Sequence, residues 1–501
     1  MYQKIKSFLK HTAVYSIPGI AYKGIGVITL PLYLNVLSAS DFGVYGILEV
    51  TIVILVEVFS FGQANSILVL NNSQEYKGKE KSVFFTILAY VFVVNLILYL
   101  ILFIFFNKLF SVLDPDNIFR PYAHLVIAII FLRVINNVIL NKLRADERSV
   151  FYSVINLTKI ILTLLLAVLF VGFMHLGVFG IFYAYLAAEI VAFVIPLPDV
   201  LKNIELKFDR QILIQSINFG IPLIFGAIGV QLLNVSDRYI LNYFTDTKTV
   251  GIYDLGYRIA GIVNMFLILP FNLTLLPAAA KMYGQEGDSR YFKKLMTYLC
   301  YVVIWSGLAI SIFSKEIIRV ISSNADFWIA YQIVPIITLS YVFSATRNYA
   351  SLGMYLTKNT KYIAVTTMLS AFLNIGLNFI FIPKYGMIAA AYSTLVAFGI
   401  FHFATKIISD KYYKIEYENG KLITLFTIAI FIYFISSLIE TDILILSVII
   451  KLMLIILFPF LLYFFNFYEK IELDTLSNML KKGKRISLSI IIESLLSRRQ
   501  R

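Results

Sequence analysis

Charge is scarce in this chain. Asp, Glu, Lys and Arg make up 14% of its 501 residues, against about 25% in an ordinary soluble domain. Apolar residues account for 59%, and the mean hydropathy is +0.83. A soluble fold of this length could not hide so much apolar surface. Cysteine is nearly absent too: Cys300 alone excludes an intrachain disulfide framework, and its apolar surroundings predict an inert, packed thiol. The four histidines (His11, His124, His175 and His402) are scattered. Without a His-Glu-x-x-His pair or a Cys cluster, no metal site is expected. A G-x-x-x-x-G-K-[ST] loop is missing, which excludes an ATPase of that type. No polar stretch is long enough to form a soluble catalytic domain, so the chain does not read as an enzyme. A classical signal peptide is also lacking; Met1 to Lys10 is basic and amphipathic and leads straight into an apolar run.

What the chain has instead is apolar runs near 20 residues long. A helix rises ~1.5 Å per residue, so ~20 residues cross a ~30 Å hydrocarbon core. Every backbone polar group in lipid needs a partner, and unbroken runs select helices over barrel strands. The expected fold is all-α and integral to the membrane, with about fourteen spans near 12–35, 42–64, 82–106, 121–141, 152–172, 177–198, 211–234, 250–277, 291–313, 329–356, 361–382, 386–408, 421–438 and 443–468. Thirty of the 43 Lys and Arg fall in alternate connections, the span ends that border them and the two chain ends, seven in the other connections and six deeper within spans. The positive-inside rule therefore places both termini in the cytoplasm. The net charge of +14 is a topogenic signal facing anionic membrane lipids, and no nucleic-acid partner is expected.

The sequence also repeats. Gly19-Ile20 and Ile25-Gly26-Val27 correspond to Gly220-Ile221 and Ile228-Gly229-Val230. Asp41-Phe42-Gly43-Val44-Tyr45 corresponds to Thr249-Val250-Gly251-Ile252-Tyr253, and Leu176-Gly177-Val178 with Tyr183 to Tyr385-Gly386-Met387 with Tyr392. An even number of spans separates the copies, so the two halves run in parallel and a binding site is expected between them. This divides the chain into an N-lobe of helices 1–6 (1–200), a C-lobe of helices 7–12 (201–410), helices 13–14 (411–470) and a basic cytoplasmic tail (471–501).

A charge at the centre of a span costs roughly 2.5–3.5 kcal/mol and persists where it faces a watery cavity or a partner. Lys23, Arg133, Arg258 and Arg347 are candidates for a cationic cavity that binds phosphate oxygens through paired donors. The alternative for Arg258 is a salt bridge to Asp254 at i,i+4. Lys159 and Lys451 lie nearer span ends, where snorkelling is expected. Glu49, Glu57 and Glu189 are candidates for ion coupling. Asp237-Arg238 reads as a boundary pair or gate at the outer end of the seventh span. Pro18, Pro31, Pro222, Pro270, Pro277 and Pro335 predict kinks, and Asn136, Asn137, Asn234, Asn264, Asn374 and Asn378 predict interhelical glue or cavity lining.

Several short motifs occur in a fixed order: Leu30-Pro31-Leu32-Tyr33, Leu37-Ser38-Ala39-Ser40-Asp41-Phe42-Gly43-Val44-Tyr45, Asp237-Arg238-Tyr239-Ile240-Leu241, and Val250-Gly251-Ile252-Tyr253 with Tyr257-Arg258. In these the chain, from about Lys10 to Tyr468, resembles the polysaccharide-export or oligosaccharide flippase family (Wzx type) of the MOP superfamily. The resemblance implies a MATE-like, two-lobed, V-shaped transporter with alternating access. It implies a cargo of undecaprenyl-pyrophosphate-linked oligosaccharide, moved from the inner to the outer leaflet of the bacterial cytoplasmic membrane for O-antigen, capsule or a similar surface polysaccharide. Polymerases and glycosyltransferases of the same pathway are then expected partners. No cofactor is expected; a proton or sodium gradient, or the membrane potential, would supply the drive. A cationic lumen matches Lys23, Arg133, Arg258 and Arg347 by position and chemistry, though they form no strict motif. Relatives that handle the peptidoglycan precursor carry more arginines in the first two spans, which here hold Lys23, Glu49 and Glu57. Two other readings are a multidrug or metabolite antiporter of the same superfamily, which predicts an acidic cavity, and a membrane polysaccharide polymerase or ligase, which predicts a long outer loop.

Overall fold

A computed structural model describes residues 26–105, 108, 114, 116–439, 444–470 and 472–474. All regular structure among them is helical. Among the described residues eleven helices are long and apolar enough to cross a bilayer, and the pair Ala325–Gln332 and Val334–Leu356, bent by 46°, makes a twelfth if it is one span. Of the expected first span the described residues hold Gly26–Val36.

The longest apolar helix, Lys361–Ser409, has 49 residues and would run to roughly twice a bilayer if straight. Gly386 breaks it at φ 55°, ψ −137°, a conformation that glycine adopts without the Cβ penalty. The two halves fold back on one another. Asn374 donates to Thr394 Oγ1 (3.5 Å), and the Tyr362 and Tyr412 rings lie 5.6 Å apart, contacts that a continuous helix cannot make.

Helix starts follow from capping chemistry. Ser38 accepts from the Asp41 N–H at 3.0 Å while its hydroxyl donates to Asp41 Oδ2 at 2.7 Å, opening Ala39–Phe59. Asp209 opens Arg210–Phe244 by accepting from Gln211 and Ile212, and Asp246 opens Thr247–Val263 by accepting from Thr249. These side chains satisfy amide donors that the helix itself leaves unpaired.

The prolines act in different ways. Pro222 and Pro277 lie inside helices. Pro270 lacks the N–H that would reach back one turn, and the turn before it, Asn264–Ile268, widens to π-helical geometry. Pro335 sits in the first turn of Val334–Ala350, where its missing N–H is not needed; the bend lies just before it.

The corresponding segments of the sequence repeat meet at one crossing. A Cβ on Gly43 would stand 1.8 Å from the Thr247 carbonyl oxygen, and one on Gly251 would stand 2.0 Å from the Ala39 carbonyl oxygen. Each glycine thus admits the backbone of the other helix, and the Ser40 and Thr247 hydroxyls bond across the seam. Small residues give this close approach because no apolar driving force separates helix from lipid. At the opposite end of Ala39–Phe59 a second crossing forms. Gly62 abuts the Gly220 carbonyl, at 2.3 Å from an added Cβ, and Ser66 donates to the Ser216 carbonyl (2.8 Å). The two helices after the hairpin, Asn419–Leu438 and Leu444–Phe464, pack on Asp288–Ile321, with Trp305 donating to the Ile455 carbonyl (3.0 Å).

Candidate functional site

Between the two crossings lies a cavity of ≈ 330 Å³. Its charged lining is Glu49, Lys159 and Arg258; Thr29, Thr163 and Asn264 add polar groups, and Tyr33, Tyr45, Tyr185, Tyr257 and Tyr341 line it with aromatic rings. Helical spacing explains the set. Tyr45 and Glu49, and Lys159 and Thr163, are each one turn apart and share a face.

Two ionic networks border the cavity. In the first, Glu189 is fully buried and gathers three donors: Arg133 Nε at 2.6 Å, Lys159 Nζ at 2.7 Å and Asn136 Nδ2 at 2.9 Å. Asn136 also donates to the Glu189 carbonyl at 2.9 Å. In the second, Asp254 bridges two arginines, taking Arg238 Nε on Oδ1 (2.8 Å) and Arg258 Nε on Oδ2 (2.6 Å). Gly46 leaves the room for this carboxylate, since a Cβ there would stand 3.2 Å from it. The other edge of Arg258 pairs with Glu49. Arg238 pairs with Asp237 at 3.2 Å, and Tyr253 donates to Asp237 at 2.5 Å. Four cations (Arg133, Lys159, Arg238, Arg258) therefore meet four carboxylates (Glu49, Glu189, Asp237, Asp254). The desolvation of each charge is offset by a partner in direct contact.

The expected site residues separate accordingly. Arg258 lines the cavity, and Arg133 reaches its border through Glu189. Arg347 is not brought to it; its guanidinium stacks over the Phe401 ring at 4.5 Å, and its Nε is buried with no hydrogen-bond partner. Lys23 lies outside the described residues. Glu49 and Glu189 are committed to ion pairs, whereas Glu57 is half-buried and has no ion-pair partner among the described residues. Asp237 and Arg238 are only 1% and 4% exposed and belong to the interior network rather than to a helix boundary. Asn264 lines the cavity, while Asn374 takes a bond from Ser236 (3.3 Å) and one from Asn378 (3.1 Å).

Lys159 departs from the snorkelling expected of it, because Glu189 on the neighbouring Gly177–Val194 helix holds it inward. The hydroxyl of Thr163, one turn on, was the available signal of a polar face there. Lys451 is also turned inward, pairing with Glu316 at 2.6 Å. Nothing local in the sequence points to the tyrosine lining, because its members come from five separate helices.

The family model described as "Polysaccharide biosynthesis protein" matches residues 8–283. A probable low-salt glycan biosynthesis flippase of Haloferax volcanii, Agl15, is 22% identical over 244 residues, 46% of this chain and 50% of that protein. The chain spans between 50% and 62% of the length of the curated relatives it matches. Among solved structures, the lipid II flippase MurJ in an inward closed conformation superposes with a TM-score of 0.73 at 16% identity, covering 90% of this chain and 99% of that one. An inward-facing multidrug resistance MATE family transporter of the MOP superfamily gives 0.60 at 15% identity, covering 82% and 96%. At these identities the structural likeness shows the fold, which is of the MOP type.

Proposed function

The chain belongs to the polysaccharide biosynthesis protein family, and from that premise we propose that it is a flippase for lipid-linked oligosaccharide. The observation that carries this reading is the cavity between two helix crossings, whose cations among the described residues, Lys159 and Arg258, are each held by a carboxylate. A pyrophosphate brings several acceptor oxygens that compete for those same donors. Arg258 and Lys159, with side chains 26% and 18% exposed, are the groups within its reach. Glu49 and Glu189 then act as stand-in anions that keep the empty cavity neutral, and the tyrosines and threonines offer ring faces and hydroxyls to the first sugars. In the topology proposed from the charge bias, both termini are cytoplasmic. The Gly43–Gly251 crossing then closes the outer side and the Gly62–Gly220 crossing the inner side, and alternating access opens them in turn.

The cargo in this reading is an oligosaccharide on undecaprenyl pyrophosphate, carried from the inner to the outer leaflet of the cytoplasmic membrane for a surface polysaccharide such as O-antigen or capsule. Polymerase and glycosyltransferases of that pathway are its neighbours. A proton or sodium gradient, or the membrane potential, supplies the drive. Of the three coupling candidates, Glu57 is the one left to change its charge without breaking an ion pair. The protein catalyses no covalent step.

Reconstitution into vesicles with a fluorescent lipid-linked oligosaccharide tests the proposal: the label should become accessible in the opposite leaflet. Absence of movement with the oligosaccharide of the cognate pathway refutes it. The carboxylates near the cavity and the MATE likeness favour a second reading, an antiporter of cationic compounds. Efflux from a drug-sensitised strain, without movement of the lipid-linked sugar, would select it. In a deletion strain, single repeat units held in the inner leaflet indicate a flippase; units held in the outer leaflet indicate a polymerase.

A further inference from the structure

A second cavity, of ≈ 240 Å³, lies away from the first, between the end of Asp288–Ile321 and the two helices that follow the hairpin. Its walls come from the last turns of Asp288–Ile321 and Asn419–Leu438 and the first two turns of Leu444–Phe464. Its charged groups, Lys315, Glu316, Arg319 and Lys451, therefore sit within ~10 Å of a helix end, at the depth where headgroups meet hydrocarbon.

Its lining is polar in a particular way. Lys451 Nζ and Ser447 Oγ both donate to Glu316 Oε1, at 2.6 and 2.8 Å. The other oxygen, Glu316 Oε2, is buried and accepts nothing. A buried carboxylate oxygen without a donor costs more than one bonded to water or ligand. Lys315 lies over the Tyr331 ring at 5.8 Å and Arg319 over the Trp328 ring at 5.2 Å. Lys315 and Arg319 line the cavity, so cationic donors and an unfilled acceptor face one space. Beside this space the same helix ends present Phe434, Leu438 and Ile445, at 58%, 67% and 71% exposure, an apolar path for a hydrocarbon chain.

We propose that this cavity binds the headgroup of a lipid bearing both a phosphate and free hydroxyls. The phosphate oxygens take donors from Lys315 and Arg319, a hydroxyl of the headgroup donates to Glu316 Oε2, and the tail lies along Phe434 and Leu438. A choline headgroup offers no hydrogen-bond donor to Glu316. The same chemistry is present in a glycerol phospholipid of the bulk membrane and in a sugar-phosphate lipid. The site does not depend on the transport reading, because binding is measured without movement across a membrane.

The test is lipid retention by the purified full-length protein in detergent, read by native mass spectrometry. Three lipids with the same acyl chains are used: phosphatidylglycerol, phosphatidylmethanol (the same charge without hydroxyls) and phosphatidylcholine. Retention should fall in that order, with ~10-fold between first and last, the scale of one charge-assisted hydrogen bond. The double substitution Lys315→Ala/Arg319→Ala should erase the preference for phosphatidylglycerol over phosphatidylcholine. Displacement of phosphatidylglycerol by a polyprenyl-pyrophosphate-linked sugar assigns the site to that lipid; resistance to displacement assigns it to bulk phospholipid. Equal retention of the three lipids, or an unchanged order in the double variant, overturns the proposal. A circular dichroism melt separates loss of the site from loss of fold, and Ser436→Val, which narrows the cavity without touching a charge, gives a second reading on the same lipids.

Discussion

Replacing Glu189 by glutamine keeps the shape of the side chain and removes its charge. Three groups converge on this carboxylate: Arg133 at 2.6 Å, Lys159 at 2.7 Å and Asn136 at 2.9 Å. Glutamine can accept at one oxygen only, and its amide hydrogens point at a guanidinium or an ammonium. Breaking a buried ion pair costs about 3–5 kcal/mol, because the partner is left uncompensated. Two partners are stranded here. Their side chains are 16% and 18% exposed, so cavity water recovers part of the loss, and the lower end, ~3 kcal/mol, is the working figure. The assay is the apparent melting temperature of the purified protein in detergent, followed by intrinsic fluorescence. Glu189→Gln should melt several degrees below the parent. Glu189→Gln combined with Lys159→Met should regain part of that loss, since one stranded cation is gone; the coupling between neighbouring sites is on the order of 0.5–3 kcal/mol. If Glu189→Gln melts with the parent, or if the added Lys159→Met makes it worse by its full single-variant amount, the network does not hold these helices.

Gly43→Val and Gly251→Val should each separate the Ala39–Phe59 and Thr247–Val263 helices, because their first side-chain carbon would meet carbonyl oxygens at 1.8 and 2.0 Å. A cost of about 1–3 kcal/mol and a changed distance between spin labels flanking the crossing are expected; an unchanged distance would show that the seam is not tight. Arg133→Ala, Arg258→Ala and Arg347→Ala should leave the protein in the membrane, with glycan export impaired most in Arg258→Ala, the one of the three that lines the cavity; equal export by all three single variants would remove the cavity cation from the mechanism. Glu418 and Glu469 form an ionic clasp with Lys294, at 2.9 Å for Glu418. Burial pushes both carboxyls up, but the hydrogen bonds and charges of Lys294 and its neighbours outweigh it and hold both below the ordinary value of 4.5. A lowered folded-state value makes the clasp stabilising above pH 4.5, with that stability lost as the pH falls through the folded values. Stability of the parent should therefore drop below this pH more steeply than that of Glu418→Gln/Glu469→Gln, as measured by melting across an acid series.

The membrane fold was legible because lipid imposes a simple rule on composition. Apolar runs mark the helices at most positions, and the runs 361–382 and 386–408 meet at the break that Gly386 makes. The repeat aligned Gly43 with Gly251 as corresponding positions, but that the two glycines meet at one crossing is visible only in the structure. Pairing was harder to read. Arg133 and Glu189 are 56 residues apart, and nothing local to either names the other. Arg133 and Arg347 looked equivalent by position, yet one found a carboxylate and the other an aromatic ring. The Gly177–Val194 helix supplies Glu189, whereas Tyr392, its expected counterpart of Tyr183, leads into a stretch without a carboxylate until Asp410. Asp237-Arg238 was placed too near a helix end because the Arg210–Phe244 helix runs on for six residues past Arg238.

The pairing changes what a charged cargo must do. An unopposed cluster of cations would bind a pyrophosphate tightly and release it slowly, which opposes turnover. Among the described residues every lining cation has an internal anion within contact distance, so in the proposed cycle an arriving phosphate would exchange for a carboxylate rather than add to bare charge. The binding energy is then a difference between two similar interactions, and the released carboxylate stands ready to displace the cargo. Asp254 extends the exchange beyond the cavity. It bridges Arg258 to Arg238, so withdrawing Arg258 toward a ligand alters the partner set of a residue on the Arg210–Phe244 helix. That helix also forms the Gly62–Gly220 crossing. In the proposed cycle a change of ionic partners at the cavity and a change of closure at that end would act through one helix, the coupling that alternating access requires.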